Sequence, residues 1–94
     1  MDYMGAWGNK DPEEKKAYGI DWTGELNSGD TISTSTWTVV SGTVTLSGQD
    51  KTSTQTKTTV DGGVDGEIAY IKNTCVTLGG EKLEGTMRLD IRSR

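Results

Sequence analysis

Apolar and polar residues alternate along much of the chain, which is the pattern of β-strands with one buried face. In the segment 18–22, Tyr18, Ile20 and Trp22 occupy every second position. The alternation near the end of the chain predicts three inward-facing residues, Met87, Leu89 and Ile91. It also predicts three that face solvent, Arg88, Asp90 and Arg92. Both segments are therefore predicted to be strands.

The strands between them have less regular patterns. The stretch "TISTSTWTVV" (31–40) is rich in β-branched residues, and Trp37 and Val39 share a face. Ile32 falls on the opposite parity, so either a bulge intervenes or both faces are partly covered. Val44 and Leu46 mark a further strand on one face. The polar stretch "QTKTTV" (55–60) predicts an edge strand or a solvent-facing one.

The run "DGGVDG" (61–66) is the strongest hairpin signal in the sequence. The long strand expected after it, in "EIAYIKNTCVTL" (67–78), has apolar residues in both registers. One register contains Ile71 and Cys75, and the other contains Ile68, Tyr70, Val76 and Leu78. A bulge or burial of both faces would explain this pattern. Cys75 is expected to be a small core side chain, since free cysteine is among the most buried residue types.

The whole pattern predicts about six to seven short strands, with turns every ~8–12 residues and no helix of ordinary length. The acidic stretch "DPEEKKA" (11–17) predicts a short turn leading into a strand. This pattern is typical of an antiparallel β-sandwich or a small barrel, and an immunoglobulin-like sandwich is the preferred prediction. Residues 10–94 are expected to form this single domain, and residues 1–9 are expected to be an extended arm. Tyr3, Met4 and Trp7 of the arm are the predicted interface residues.

Composition and charge reduce the number of functional classes that the protein can belong to. The chain has 94 residues, which suits one domain, and its net charge of −4 argues against a nucleic-acid binder. Its one basic cluster, Arg88, Arg92 and Arg94, is interpreted as a solvated strand face, with contact to a phosphate or acidic partner as the alternative. No apolar run approaches ~18 residues, so no membrane span is expected. The N-terminal stretch lacks the apolar core of a signal peptide.

Few residues suit catalysis or metal binding. The chain has one cysteine and no histidine, which excludes histidine-dependent triads and multi-cysteine zinc sites. Asp61 and Asp65 could ligate calcium, but aspartate is also a favourable turn residue, and this interpretation is preferred. Acidic pairs such as Glu13 and Glu14 are interpreted as surface carboxylates rather than a glycosidase pair. No catalytic, cofactor-binding or metal-binding residue is predicted, and the protein is not expected to be an enzyme.

Tryptophans on β-sandwiches can also stack on sugar rings, so a glycan-binding module is an alternative. Trp22 and Trp37 each alternate with other apolar residues, which is typical of core anchors. We therefore expect both tryptophans in the core.

A series of short segments resembles small phage and prophage virion proteins of the fiber–tail adaptor type. In the first half they are Lys10-Asp11-Pro12, Tyr18-x-Ile20-Asp21-Trp22, Gly29-Asp30-Thr31-Ile32 and Ser35-Thr36-Trp37. In the second half they are Gly62-Gly63, Gly66, Asn73, Gly80 and the run Met87, Leu89, Ile91. The chain departs from the family pattern at Ser41-Gly42, where the family has a proline-glycine turn, and at Ala69, where an aromatic residue is common. The stretch 42–55 also matches poorly.

The resemblance implies a structural role. It implies an Ig-like virion component that binds other tail or fiber proteins, and several copies per particle are expected. The residues themselves lead us to expect no cofactor, no nucleic-acid partner and no membrane partner. Such a protein is made in the bacterial host cytoplasm and resides in the virion tail. The alternatives are a capsid decoration protein, another virion Ig-like domain, or a glycan-binding module.

Overall fold

The computed structural model describes residues 3–93, with side chains from residue 8 onward. Met1, Asp2 and Arg94 lie outside the described residues, as do the side chains of residues 3–7. The described part has seven strands and no helix. The strands are β1 (Tyr3–Lys10), β2 (Lys16–Asp21), β3 (Ile32–Ser41), β4 (Val44–Lys51), β5 (Gln55–Gly62), β6 (Ile68–Thr77) and β7 (Lys82–Ile91).

The strands form two sheets, one in the order β1-β7-β6-β3 and the other in the order β2-β5-β4. In an immunoglobulin domain, the second, fifth and fourth strands share one sheet and the third, sixth and seventh share the other. The same partition is present here, so the predicted all-β, Ig-like sandwich is confirmed. The first strand differs from the antiparallel expectation, because β1 pairs parallel to β7 with Lys10 beside Ile91.

The core between the sheets contains both tryptophans expected there, with Trp22 fully buried and Trp37 only 3% exposed. The other buried hydrophobic residues are Ile20, Ile32, Val44, Val60, Ala69, Ile71, Cys75, Met87, Leu89 and Ile91. A shift in the β3–β6 register between Ile32 and Thr34 is the bulge that lets Ile32 face inward with Trp37. Val39 does not share this burial, because it lies near the end of β3 and is 37% exposed.

The prediction that residues 55–60 form an edge or solvent-facing strand is wrong. Strand β5 lies between β2 and β4, and Thr56, Thr58 and Val60 are buried. A threonine methyl group can pack in a core when its hydroxyl finds a partner. The Thr58 hydroxyl donates to the carbonyl of Ser47 at 3.2 Å, which makes this polar strand suitable for the interior.

The "DGGVDG" run does not form a hairpin, because β5 and β6 lie in different sheets. The segment 63–67 carries the chain from one sheet to the other. Gly63 has a φ of 100°, and a Cβ there would lie 3.2 Å from side-chain atoms of Ile91. Glycine is therefore required both by the backbone conformation and by the close approach of the last strand.

Strand β6 pairs with β7 without a register shift, so no bulge explains its two apolar registers. The inward register contains Ile71 and Cys75, both fully buried. Residues of the other register are on the outer face, where Ile68 is 40% exposed. On β7, Asp90 is only 8% exposed rather than solvent-facing, because β7 lies between β1 and β6, with Asn9 on one side of Asp90 and Ile68 on the other. Its carboxylate forms an ion pair with Arg88 at 3.1 Å.

Candidate functional site

A buried hydrogen-bond network connects the two sheets through the core. The Nε1 of Trp22, just after β2, donates to Oδ1 of Asn73 on β6 at 3.0 Å and lies 3.2 Å from the Thr56 hydroxyl. That hydroxyl also donates to Oδ1 of Asn73, at 2.8 Å. The Asn73 amide nitrogen donates to Oγ of Ser35 on β3 at 2.9 Å. Antibody-type domains join the same two strands, the second and the sixth, with a disulfide.

Lys10 makes a second connection between the sheets. The residue is fully buried, and its Nζ donates to the carbonyls of Gly62 at 2.6 Å and Asp11 at 2.9 Å. Its own carbonyl accepts from the backbone N–H of Arg92 at 2.8 Å. Lys10 thus ties β1 and β7 to the end of β5. The predicted turn that follows is confirmed, since Glu14 N–H donates to the Asp11 carbonyl at 3.0 Å.

Asp30 makes a third connection, between the loop 22–31 and the β6–β7 turn. Its Oδ1 accepts from the N–H of Gly79 and of Thr31, each at 2.9 Å. Hydrogen bonding from the Thr77 hydroxyl, with smaller help from those two N–H groups, outweighs burial and lowers the pKa of Asp30. The short motifs of the sequence thus contact one another in the fold, and their residues stabilise the sandwich.

The acidic residues considered for metal binding or catalysis have local structural roles. Asp61 Oδ1 accepts from the N–H of Gly62 at 2.8 Å, and Asp65 Oδ1 accepts from that of Ser93 at 2.9 Å. Asp21 accepts from the hydroxyl of Thr23, which is the main cause that lowers the pKa of Asp21. Among the residues whose side chains the structure describes, 8–93, no three His, Cys, Asp or Glu side chains are grouped so as to hold a metal ion. The same residues contain no helix able to span a membrane.

A shallow groove of about 390 Å³ runs along β2 and β5, against the end of β4. Its lining includes Ala17, Gly19, Asp21, Asp50, Lys51 and Lys57. The small residues Ala17 and Gly19 of β2 do not fill the groove. A Cβ at Gly19 would lie 2.5 Å from the Thr56 carbonyl oxygen. The charged residues of the lining have both signs, so the groove has no clear preference for a charged ligand.

Exposed apolar residues lie at the two opposite ends of the sandwich. Val39, Val40, Val64 and Ile68 lie at the end where β6 begins. Val76 and Leu78 lie at the end where β6 finishes, and Leu78 is 74% exposed. Sequence reasoning missed Leu78 as a surface residue. Its position directly before the Gly79-Gly80 turn was the available signal, because a residue that follows a strand into a turn leaves the core-facing alternation.

The predicted interface residues Tyr3, Met4 and Trp7 all belong to β1. Their side chains are outside the described residues, and only their backbone pairing is defined, with Tyr3 beside Thr86 and Trp7 beside Arg88 of β7. The end of β1 also contacts the other sheet, because the Tyr18 hydroxyl donates to the Asn9 carbonyl at 2.7 Å. A role for these three residues in binding stays a prediction.

Residues 10–90 match the family described as podophage GP4 fiber-tail adaptor protein gp77. The chain belongs to this family. The resemblance inferred from the short motifs is thereby confirmed, and a phage fiber–tail adaptor role follows for the protein as a virion component. No curated protein matches the chain.

A solved structure with a similar fold is the 2,6-sialyltransferase of Photobacterium sp. JT-ISH-224, in a ternary complex with the donor product CMP and the acceptor substrate lactose. The TM-score is 0.63 at 16% sequence identity, over 94% of this chain and 17% of the enzyme. The adaptor chain thus spans a small part of that protein. At this identity the likeness supports the sandwich fold alone.

Proposed function

We propose that this adaptor is a non-enzymatic structural protein of the phage tail that connects fibers to neighbouring tail components. The observation that carries the proposal is the family match over residues 10–90, which includes both sheets except most of β1. The structure adds that the motif residues Lys10, Trp22 and Asp30 are engaged in contacts within the fold. The binding of partners is therefore assigned to residues of the exposed surface, as expected for a protein that works by binding other proteins.

The partners in this proposal are other tail and fiber proteins, contacted by several copies of the adaptor in each particle. The protein is made in the host cytoplasm and incorporated into the tail during assembly. A chain of net charge −4 suits protein partners better than nucleic acid, because neutralising phosphates requires a basic surface.

Two alternative functions predict different observations. A capsid decoration protein would share the Ig-like fold but would occupy the head. A glycan-binding module would need exposed aromatic rings, whereas Trp22 and Trp37 are buried in the core. That burial removes both residues as stacking platforms for sugars and favours the adaptor role.

The deciding experiment separates heads from tails of purified particles and quantifies the protein in each fraction by mass spectrometry. The proposal predicts that the protein is in the tail fraction, in several copies per particle. Its presence in heads alone would support capsid decoration instead. A reconstruction of the intact particle would then identify the neighbouring chains directly.

We also propose that residues 1–9 take part in docking, through Tyr3, Met4 and Trp7. Replacing these three side chains by serine leaves the β1 backbone in place, whereas deleting residues 1–9 also uncovers the edge of β7. Both changes are expected to reduce incorporation into particles while circular dichroism still shows a folded domain. Full incorporation of the triple serine variant would exclude a docking role for these side chains.

A further inference from the structure

Trp37 carries the one buried polar side-chain atom, among the described residues, that has no hydrogen-bond partner there. The residue is 3% exposed, and no acceptor of the described chain lies within hydrogen-bond distance of its Nε1. The Nε1 of Trp22, by contrast, has two partners, Thr56 and Asn73. Nearly all buried polar groups of native proteins are hydrogen-bonded to protein or to ordered water, so the indole N–H of Trp37 requires a partner.

The group that faces this indole is identified by the alignment of β3 with β5, which run in the same direction in opposite sheets. At their start, the Ile32 N–H donates to the Ser53 carbonyl at 2.9 Å. At their end, Ser41 is followed after two residues by Val44, which pairs with Gly62. The same number of residues therefore separates the two ends on each strand (32 to 41 and 53 to 62), so positions on one strand can be matched to those on the other.

This alignment places Trp37 and Thr58 at the same level, since each follows the matched start of its strand by the same number of residues (32 to 37 and 53 to 58). Gln49 supports the match: its side chain contacts the Trp37 backbone, and it belongs to the segment of β4 that pairs with β5 on either side of Thr58. Thr58 is fully buried, so its side chain also lies in the core. Its hydroxyl is the polar group opposite the Trp37 indole, beyond the distance of a direct hydrogen bond.

The Thr58 hydroxyl can accept a further hydrogen bond. It uses its proton to donate to the Ser47 carbonyl at 3.2 Å, and a hydroxyl oxygen keeps two acceptor sites. Next to that carbonyl, the register of β4 on β5 shifts between Ser47 and Asp50, so that residues 48–49 form a bulge. Bulges leave backbone groups outside the ladder. The side of the core that faces Trp37 therefore offers a hydroxyl and backbone carbonyls as acceptors.

We propose that one internal water molecule binds between the sheets at this level. The water accepts from Nε1 of Trp37 and donates to the Thr58 hydroxyl and to a carbonyl of the β4 bulge. Three hydrogen bonds are the usual number for a buried water, and globular proteins bind about one such water per ~27 residues. Water commonly bridges polar groups that are too far apart for a direct contact.

The bound water ties β3 to β5, in addition to the network by which Trp22 and Asn73 tie β2 to β6. Strand β3 is at the edge of its sheet and pairs only with β6 within the described residues. Trp37 is then held through its backbone by Gln49 and through its side chain by the water. The site also accounts for a buried threonine at position 58, where valine would fill the same volume without an acceptor.

The direct test is a crystal structure of the full chain at a resolution that shows ordered waters. The expected result is a water oxygen within about 3.2 Å of both Nε1 of Trp37 and Oγ1 of Thr58. In solution, NMR should show magnetisation transfer from water to the indole proton of Trp37, with the sign of a direct contact in the rotating frame. Trp37→Phe identifies the indole signal by its loss.

A double-mutant cycle tests whether the water joins the two residues. If it does, the increase of the unfolding equilibrium constant in the double variant of Trp37→Phe and Thr58→Val is smaller than the product of the two single increases, by at least about threefold. Thr77→Val is the matched control, because Thr77 is also a buried threonine but lies beside Ile32, at the far end of β3. Combined with Trp37→Phe, it should give the product of the single effects.

Three results would overturn the inference. The first is a crystal structure in which Nε1 of Trp37 bonds directly to a protein atom or has no ordered water within hydrogen-bond distance. The second is no transfer from water to the Trp37 indole proton. The third is a double variant of Trp37 and Thr58 whose effect equals the product of the single effects. The crystal structure and the NMR experiment use the unchanged chain, so they decide the question even if a variant fails to fold.

Discussion

The indole Nε1 of Trp22 donates a hydrogen bond to Oδ1 of Asn73 at 3.0 Å, across a core in which both residues are fully buried. This polar contact joins β2 to β6, the strand pair that a disulfide joins in antibody domains. The free Cys75 lies two residues further along β6, and burial raises the pKa of its thiol. The sandwich thus uses an amide network, and not a covalent bond, to fix the relative position of its sheets.

Replacing Asn73 by alanine is expected to lower the free energy of unfolding by about 2–4 kcal/mol. The change leaves Trp22 Nε1 with one partner, removes the acceptor of the Thr56 hydroxyl and opens a small cavity. Urea unfolding followed by tryptophan fluorescence measures the effect. Thr74→Ala is the matched control, since Thr74 lies on the outer face of β6 and its hydroxyl contacts Glu84. This change should lower the free energy of unfolding by less than about 1 kcal/mol. Equal losses of unfolding free energy in Asn73→Ala and Thr74→Ala would contradict the prediction that the buried network stabilises the fold.

Lys10 is expected to be a stability residue despite its charge. Lys10→Ala removes buried packing and the donors to Gly62 and Asp11, for an expected loss of about 2–4 kcal/mol. Lys10→Met should recover the part of the loss that comes from packing, because its unbranched side chain can occupy the same space. Chemical unfolding of the two variants separates these contributions, with the exposed Lys57→Met as control. An unfolding free energy for Lys10→Ala within about 0.5 kcal/mol of the unchanged chain would refute this role.

The strands that sequence predicted best are those with one apolar face. Trp22, Trp37 and the alternating residues of β7 are buried as expected because alternation directly reports which face meets the core. Strand β5 was misjudged because threonine is compatible with either face, and its burial depends on a hydroxyl partner such as the Ser47 carbonyl. That partner lies on another strand and is not visible in local sequence.

Long-range pairing explains the remaining differences. The glycines of residues 61–66 correctly indicate a change of direction, but they do not specify which sheet the next strand joins. The parallel pairing of β1 depends on the free edge of β7, at the far end of the chain.

Gln49 is expected to protect the free edge of β3. Its Oε1 accepts from the N–H of Trp37 at 3.1 Å, and its Nε2 donates to the carbonyl of Trp37 at 3.2 Å, as a neighbouring strand would do. A bulge in β4 next to Gly48, whose φ is 56°, precedes this residue. Exposed strand edges otherwise tend to pair with other chains.

Gln49→Ala should therefore increase the hydrogen-exchange rate of the Trp37 amide by at least about tenfold, with a loss of about 0.5–1.5 kcal/mol in unfolding free energy. Amide exchange followed by NMR measures the first effect and urea unfolding the second. Thr45→Ala, an exposed change on the same strand, is the control. Unchanged Trp37 exchange in Gln49→Ala would show that the edge is protected by something else.

Asp30 is expected to make part of the stability depend on pH. Its folded-state pKa lies below 3.8, the ordinary value of an aspartate, so its contribution is fully present above that value and is lost as pH falls through the folded pKa. Asp30→Asn should therefore be less stable than the unchanged chain at neutral pH, with a difference that shrinks in acid. Urea unfolding at neutral pH and below pH ~3 measures both differences. Ser28→Ala, in the same loop, should behave like the unchanged chain at both pH values. If the difference in unfolding free energy between Asp30→Asn and the unchanged chain is the same at neutral pH and in acid, the charge of Asp30 does not contribute to its stabilisation of the turn.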